Sequence, residues 1–198
     1  MKIYRKQEKH AWCYTVSENS KISGTSRYTL GFLFHNITVR SESGDTLCLR
    51  QTNFFLQILD NIPLIGWFVF VPFQAYVNGV YAGSSKRKYG AAMYTFPIGE
   101  DIYEMSLHNP NKAALLKNGK QIALYRRDDE IWLEQTVYRV QHSADAVPEI
   151  LLLFAVFADQ VLFSLSGSQV AVYRKERYYQ LRDKHPERGN WKPEVDEK

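Results

Sequence analysis

Nine consecutive apolar residues, Ile150-Leu151-Leu152-Leu153-Phe154-Ala155-Val156-Phe157-Ala158, limit what this chain of 198 residues can become. They follow Asp145-Ala146-Val147-Pro148-Glu149, which offers an N-cap, a proline for the first turn and an early carboxylate, as helix starts do. A helix that is apolar on every side must be buried in protein or in lipid. A membrane span needs about 20 predominantly apolar residues and disfavours Asp at its middle. Here Asp159-Gln160 interrupts the run before Val161-Leu162-Phe163 resumes it. The reading is a protein-enclosed helix over residues 146–164.

What encloses it reads as β. Aromatic residues make up 14% of the chain, a bias toward strands. Trp12–Val16, Tyr28–Phe34 and Asn36–Arg40 are rich in aromatic and β-branched residues, and Ser41–Asp45 turns into Thr46–Arg50. Asn78-Gly79 and Asn118-Gly119 each separate two strand-like runs, and a type I′ turn needs the positive φ that both residue types tolerate. A further hairpin is expected from Ile102–Leu107 through His108-Asn109-Pro110-Asn111. Ile131–Val140 reads as a long strand and Gln169–Tyr173 as a last one. The apolar stretch Asn53–Phe73, broken by Asp60, Asn61, two prolines and Gly66, reads as two core strands joined by a bend, with a membrane-dipping loop as the alternative. Strands on several sides of a buried helix imply a mainly β fold: a closed antiparallel β-barrel wrapped around a central hydrophobic C-terminal helix.

Residues 1–175 are expected to form this one domain and 176–198 a charged tail. Cys13 and Cys48 do not make a disulfide framework, and Met1–Lys9 has no apolar signal core. Free, packed thiols and a cytoplasmic location follow as the expectation. The net charge of +4 is mild and points away from nucleic acid, while allowing weak attraction to anionic lipid.

The β-meander with Asn-Gly hairpins, followed by the pattern from Asp145 to Phe163, resembles the tubby C-terminal-like superfamily, which includes LURP-one-related proteins and phospholipid scramblases. Asp159 late in the helix and the aromatic Phe163 after it are similar to that group. The resemblance covers residues 20–173. It implies a closed antiparallel barrel threaded by a hydrophobic helix. It also implies a binding or scaffold role, with phosphoinositides as the ligands of tubby proteins, but no lipid-contacting residue carries over.

Lys86, Arg87 and Lys88 form the densest basic run and are the candidate contacts for an anionic headgroup; the plainer reading is a solvated strand end. Asp159 inside an apolar helix needs a hydrogen-bonding or cationic partner, expected to be backbone, Arg or Tyr. Arg126-Arg127 before Asp128-Asp129-Glu130 reads as a mixed-charge turn. His10 and Cys13 lack a second ligand pair for zinc, and neither a glycine-rich phosphate loop nor a Gly-x-Ser-x-Gly elbow occurs. No catalytic residue, metal or cofactor is assigned. The expected function is a non-enzymatic binding or scaffold domain with weak peripheral association with anionic lipid. A lipid- or small-molecule-binding barrel and an enzyme are the alternatives.

Overall fold

A computed structural model describes residues 1–8, 11–16, 21–29, 34–61, 71–87, 93–109, 111–127, 135–163 and 191–193. Its strands are β1 (Lys2–Glu8), β2 (Ala11–Thr15), β3 (Ser23–Thr29), β4 (Phe34–Arg40), β5 (Thr46–Gln51), β6 (Phe73–Val77), β7 (Val80–Ser84), β8 (Lys86–Arg87), β9 (Met93–Ile98), β10 (Asp101–Asn109), β11 (Lys112–Lys117), β12 (Lys120–Arg127) and β13 (Gln135–His142). Helix α1 (Phe54–Asn61) lies between β5 and β6, and α2 (Pro148–Phe157) widens into a π-helical segment, Ala158–Phe163.

All strands belong to one antiparallel sheet in the order β7-β6-β5-β4-β3-β2-β1-β13-β12-β11-β10-β9-β8. The two ends of that order are consecutive in the chain. Val80–Ser84 pairs with β6, Lys86–Arg87 pairs with β9, and the buried Ser85 between them is the corner. Ser85 donates its N–H to the Phe73 carbonyl (2.7 Å), and its hydroxyl accepts from the Phe73 N–H (2.8 Å), so the corner leaves neither group unpaired. A Cβ on Gly83 would lie 2.5 Å from Pro97 Cγ and 2.9 Å from the Pro97 carbonyl oxygen, so only glycine fits where β7 meets β9. The sheet thus curls into a nearly closed barrel.

Helix α2 fills it. Ile150 through Gln160 are all buried. Phe157 packs edge-on against Phe73 of β6 and against Tyr94 and Phe96 of β9, while Phe154 meets Phe96 and Tyr103 of β10. Tyr125 of β12 donates its hydroxyl to the Leu151 carbonyl (3.0 Å). A Cβ on Gly24 of β3 would come within 3.2 Å of Val156 and 3.4 Å of Leu152, so the helix lies almost on the sheet there. Each fully enclosed Leu or Phe contributes about 1.5–3 kcal/mol from burial, and here every helical face collects it. Inward residues alternate along β4 (His35, Ile37, Val39) and β9 (Tyr94, Phe96, Ile98). In β11 and β12 the alternation is lost, because Ala113–Leu116 and Ile122–Tyr125 are buried on both sheet faces.

The two Asn-Gly turns carry the same clasp. Asn78 and Asn118 both have φ of 50°. Asn78 accepts at Oδ1 from the Thr46 N–H (2.8 Å), donates its own N–H to the Thr46 carbonyl (2.8 Å) and donates Nδ2 to Asp45 (2.8 Å). Asn118 repeats this with Ile102 (2.8 Å each way) and Asp101 (2.9 Å). Each hairpin is thereby tied to the start of the neighbouring strand.

Three expectations are corrected. Asp145 is not the N-cap of α2: that position is Val147, in extended conformation with no side-chain bond, and Pro148 opens the helix. With φ preset by proline, the first turn forms without a polar cap. Tyr28–Phe34 is not one strand, because Thr29 pairs with Phe34 and the chain reverses between them. Asn53–Phe73 does not begin as a core strand. Asn53 Oδ1 accepts from the Leu56 N–H (3.0 Å), an N-cap bond that starts α1, so the fold contains a second helix. Residues 62–70, 131–134 and Gln169–Tyr173 lie outside the described residues, as does the tail but for 191–193. β1, where no strand was expected, closes the gap between β2 and β13.

Candidate functional site

A polar cluster around Asp159 lies in the interior of the barrel. Asp159 is 2% exposed and faces β1, β2 and β13. Arg5 Nη1 donates to both carboxylate oxygens (3.1 and 3.0 Å), Tyr14 donates its hydroxyl (2.5 Å), Tyr138 donates to Oδ1, and Gln160 Nε2 donates to Oδ2 (2.9 Å) and to the Tyr14 oxygen (2.6 Å). Arg5 also stacks on Trp12, its guanidinium carbon 4.4 Å from the ring centre. Burial works against the Arg5 charge, yet Asp159, with smaller contributions from Tyr138 and Tyr14, outweighs it in sum and raises the guanidinium pKa above its ordinary value. Burial first and Asp159 second raise the Tyr14 and Tyr138 phenols, which stay protonated donors. Every oxygen of the carboxylate is therefore occupied by this chain's own side chains. The expected Arg and Tyr partners of Asp159 are present, and the cluster clamps the helix to the N-terminal strands.

A second buried pair joins Ser26 and His35, with Oγ and Nε2 2.7 Å apart. The spacing is that of a nucleophile and its base, but the residues are only 1% and 4% exposed, and Phe73 packs edge-on at 6.1 Å from the imidazole. Burial lowers the His35 pKa to about 4, with Asp159 opposing in part, so the ring is neutral at ordinary pH. A substrate has no path to this pair in the described structure.

Chemistry open to solvent lies on the outside. Lys86 and Arg87 are exposed on β8; Lys88 lies outside the described residues, as do Asp128–Glu130. No sequence argument positioned Lys86 and Arg87 relative to α1, but the register does. Gln51 pairs with Phe73 and Phe73 bonds Ser85, so the end of β5, the start of α1, the start of β6 and the start of β8 share one end of the barrel. One row inward, Arg27, Asn36, Arg50 and Gln74 face each other across β3–β6. Arg27, Arg50, Lys86 and Arg87 are without a carboxylate partner among the described residues. Glu42, Asp45, Glu100, Asp101, Asp145 and Glu149 all sit at the opposite end, where α2 begins; of the acidic residues, Glu8 and Asp60 belong to segments at the cationic end. Those carboxylates are interspersed with Lys2, Lys21, Arg40, Lys117 and Lys120, and Asp101 is paired with Lys117 (2.8 Å), so among the described residues that end is mixed in charge.

A shallow hollow of about 310 Å³ lies on the outer face of β4–β6, lined by Thr38, Arg40, Thr46, Cys48, Arg50 and Tyr76. The Cys48 thiol donates to Asn36 Oδ1 (3.1 Å) and accepts from Arg50 Nε (3.2 Å), and Arg50 stacks over Tyr76 at 5.5 Å. Neither cysteine is in a disulfide; Cys48 is buried and Cys13 half-buried. Among the described residues, no three His, Cys, Asp or Glu side chains converge in a metal-binding arrangement, and no helix is long and apolar enough to cross a membrane. No protein-family model, curated protein or solved structure matches the chain.

Proposed function

We propose that the chain is a non-catalytic binding domain of the tubby-like kind, which docks weakly on anionic phospholipid, phosphoinositide included, through the cationic end of its barrel. Membership of that superfamily is part of the proposal, supported by the antiparallel barrel threaded by a hydrophobic C-terminal helix. The observation that carries the binding role is the set of exposed cations Lys86, Arg87 and Arg27 at one end of the barrel, without a carboxylate partner among the described residues. A charged surface would orient such a molecule before contact. Each cation near an anionic membrane contributes about 1 kcal/mol, so a handful gives weak, reversible recruitment. The same end includes a two-residue strand at the barrel seam, where cations also discourage edge pairing, and the two roles are compatible. The filled interior favours surface recognition over an enclosed ligand. A cytoplasmic location, peripheral to the membrane, belongs to the same reading.

Liposome flotation tests it. Vesicles of phosphatidylcholine carrying phosphatidylserine or a phosphoinositide are expected to retain the protein more strongly at low salt than at high salt. Pure phosphatidylcholine should retain little. Replacing Lys86, Arg87 and Lys88 with Ala is expected to weaken retention severalfold, and indifference of the wild-type chain to anionic vesicles would end the proposal.

A further inference from the structure

Helix α1 is apolar on more than one side. Leu56 and Leu59 are half-buried, whereas Phe55 is 68% exposed and Ile58, one turn later on the same flank, is 39% exposed. A surface helix ordinarily turns polar residues outward, and one that does not is built to be covered. Residues three apart on a helix adjoin each other, so Phe55 and Ile58 form one continuous patch. The other large exposed apolar residues, Val80, Tyr81, Ile102 and Val147, lie on the strands and before α2 rather than on this helix.

We infer that the Phe55–Ile58 flank of α1 is a membrane wedge, inserted at the headgroup–acyl boundary of an anionic bilayer while the surrounding cations meet the headgroups. Charge complementarity selects this occupant. The patch lies at the barrel end that holds Lys86, Arg87 and Arg27, so a surface that attracts the cations brings Phe55 and Ile58 against lipid. Interfacial elements combine an apolar side with cations in this way, sinking roughly 5–10 Å into the boundary. The inference rests on the anionic-surface reading above and adds a salt-resistant component to it.

The two components separate experimentally. Flotation with phosphatidylcholine–phosphatidylserine vesicles is measured at low and high salt for the wild-type chain, for F55S/I58S and for K86A/R87A. Burial of a Phe and an Ile supports an expected loss of at least about tenfold in partitioning for F55S/I58S at either salt concentration. K86A/R87A should weaken binding at low salt only, because high salt screens exposed charges. A Phe55→Trp reporter should be quenched by lipids brominated on their acyl chains. If the wild-type chain ignores anionic vesicles at both salt concentrations, the anionic-surface reading and the wedge fall together. If it floats while F55S/I58S floats equally and the reporter is unquenched, the wedge alone falls. A change of oligomeric state in F55S/I58S without any change in flotation would assign the patch to a second copy of the chain and overturn the wedge.

Discussion

Asp159 accepts hydrogen bonds from four side chains, and one donor, Arg5, is 154 positions away in the chain. Removing one partner of a buried ion pair leaves the other charge uncompensated, which costs about 3–5 kcal/mol. Asp159→Asn is therefore expected to lower unfolding stability by about that amount, read from urea midpoints. Adding Arg5→Met should recover part of the loss, and a cost below about 1 kcal/mol for the single variant would mean that the carboxylate is no clamp. His35 makes a pH prediction. Its folded pKa of about 4 lies below the ordinary 6.5, so between those values the unfolded chain binds a proton that the folded one refuses. Its contribution is complete above pH 6.5 and falls by about 1.4 kcal/mol per pH unit as pH drops toward 4. Urea unfolding at several pH values should show that slope, and His35→Gln should flatten it. That Asp159 required a partner could be read from its apolar surroundings, but that the partners are Arg5, Tyr14 and Tyr138 could not. Nothing local marks strands at the other end of the chain.

At the scale of elements, the Asn-Gly turns were legible because their chemistry is contained in two residues. The clasp was not, since Asn78 reaches Asp45 across 33 positions and Asn118 reaches Asp101 across 17. Asn78→Ala and Asn118→Ala remove the same bonds and strain the same positive φ. Each should cost about 1–2 kcal/mol in thermal or urea unfolding, with the two values close to each other. A large difference between them would show that the matched geometry is not matched in energy. Helix α1 escaped the sequence reading because a short apolar run with broken periodicity fits a strand as well as a helix. The Asn53 cap decided it. The segment Tyr28–Phe34 was misread for a related reason: strand propensity marks both sides of a reversal without marking the reversal.

For the molecule as a whole, α2 serves as the core of the barrel, so barrel and helix should lose structure together. Leu152→Ala opens a cavity beside Gly24 and is expected to cost about 2–5 kcal/mol. Its near- and far-ultraviolet circular dichroism transitions should stay coincident; separated transitions would mean that the barrel survives without its filling. The cationic end is also a property of the whole fold. Lys86 and Arg87 stand out in the sequence as a basic run, but Arg27 does not, and only closure of the sheet brings all three to one end.

Taken alone, the sequence determined that a helix too apolar for water and too interrupted for a membrane must be wrapped by strands, because hydrophobic burial depends on composition and local period. It could not specify which strands would close the ring at Ser85, which side chains would meet Asp159, or that α1 would stand beside the cations. Those are pairings between distant residues. Register and closure create them, and no local stretch of chain encodes its partner's position.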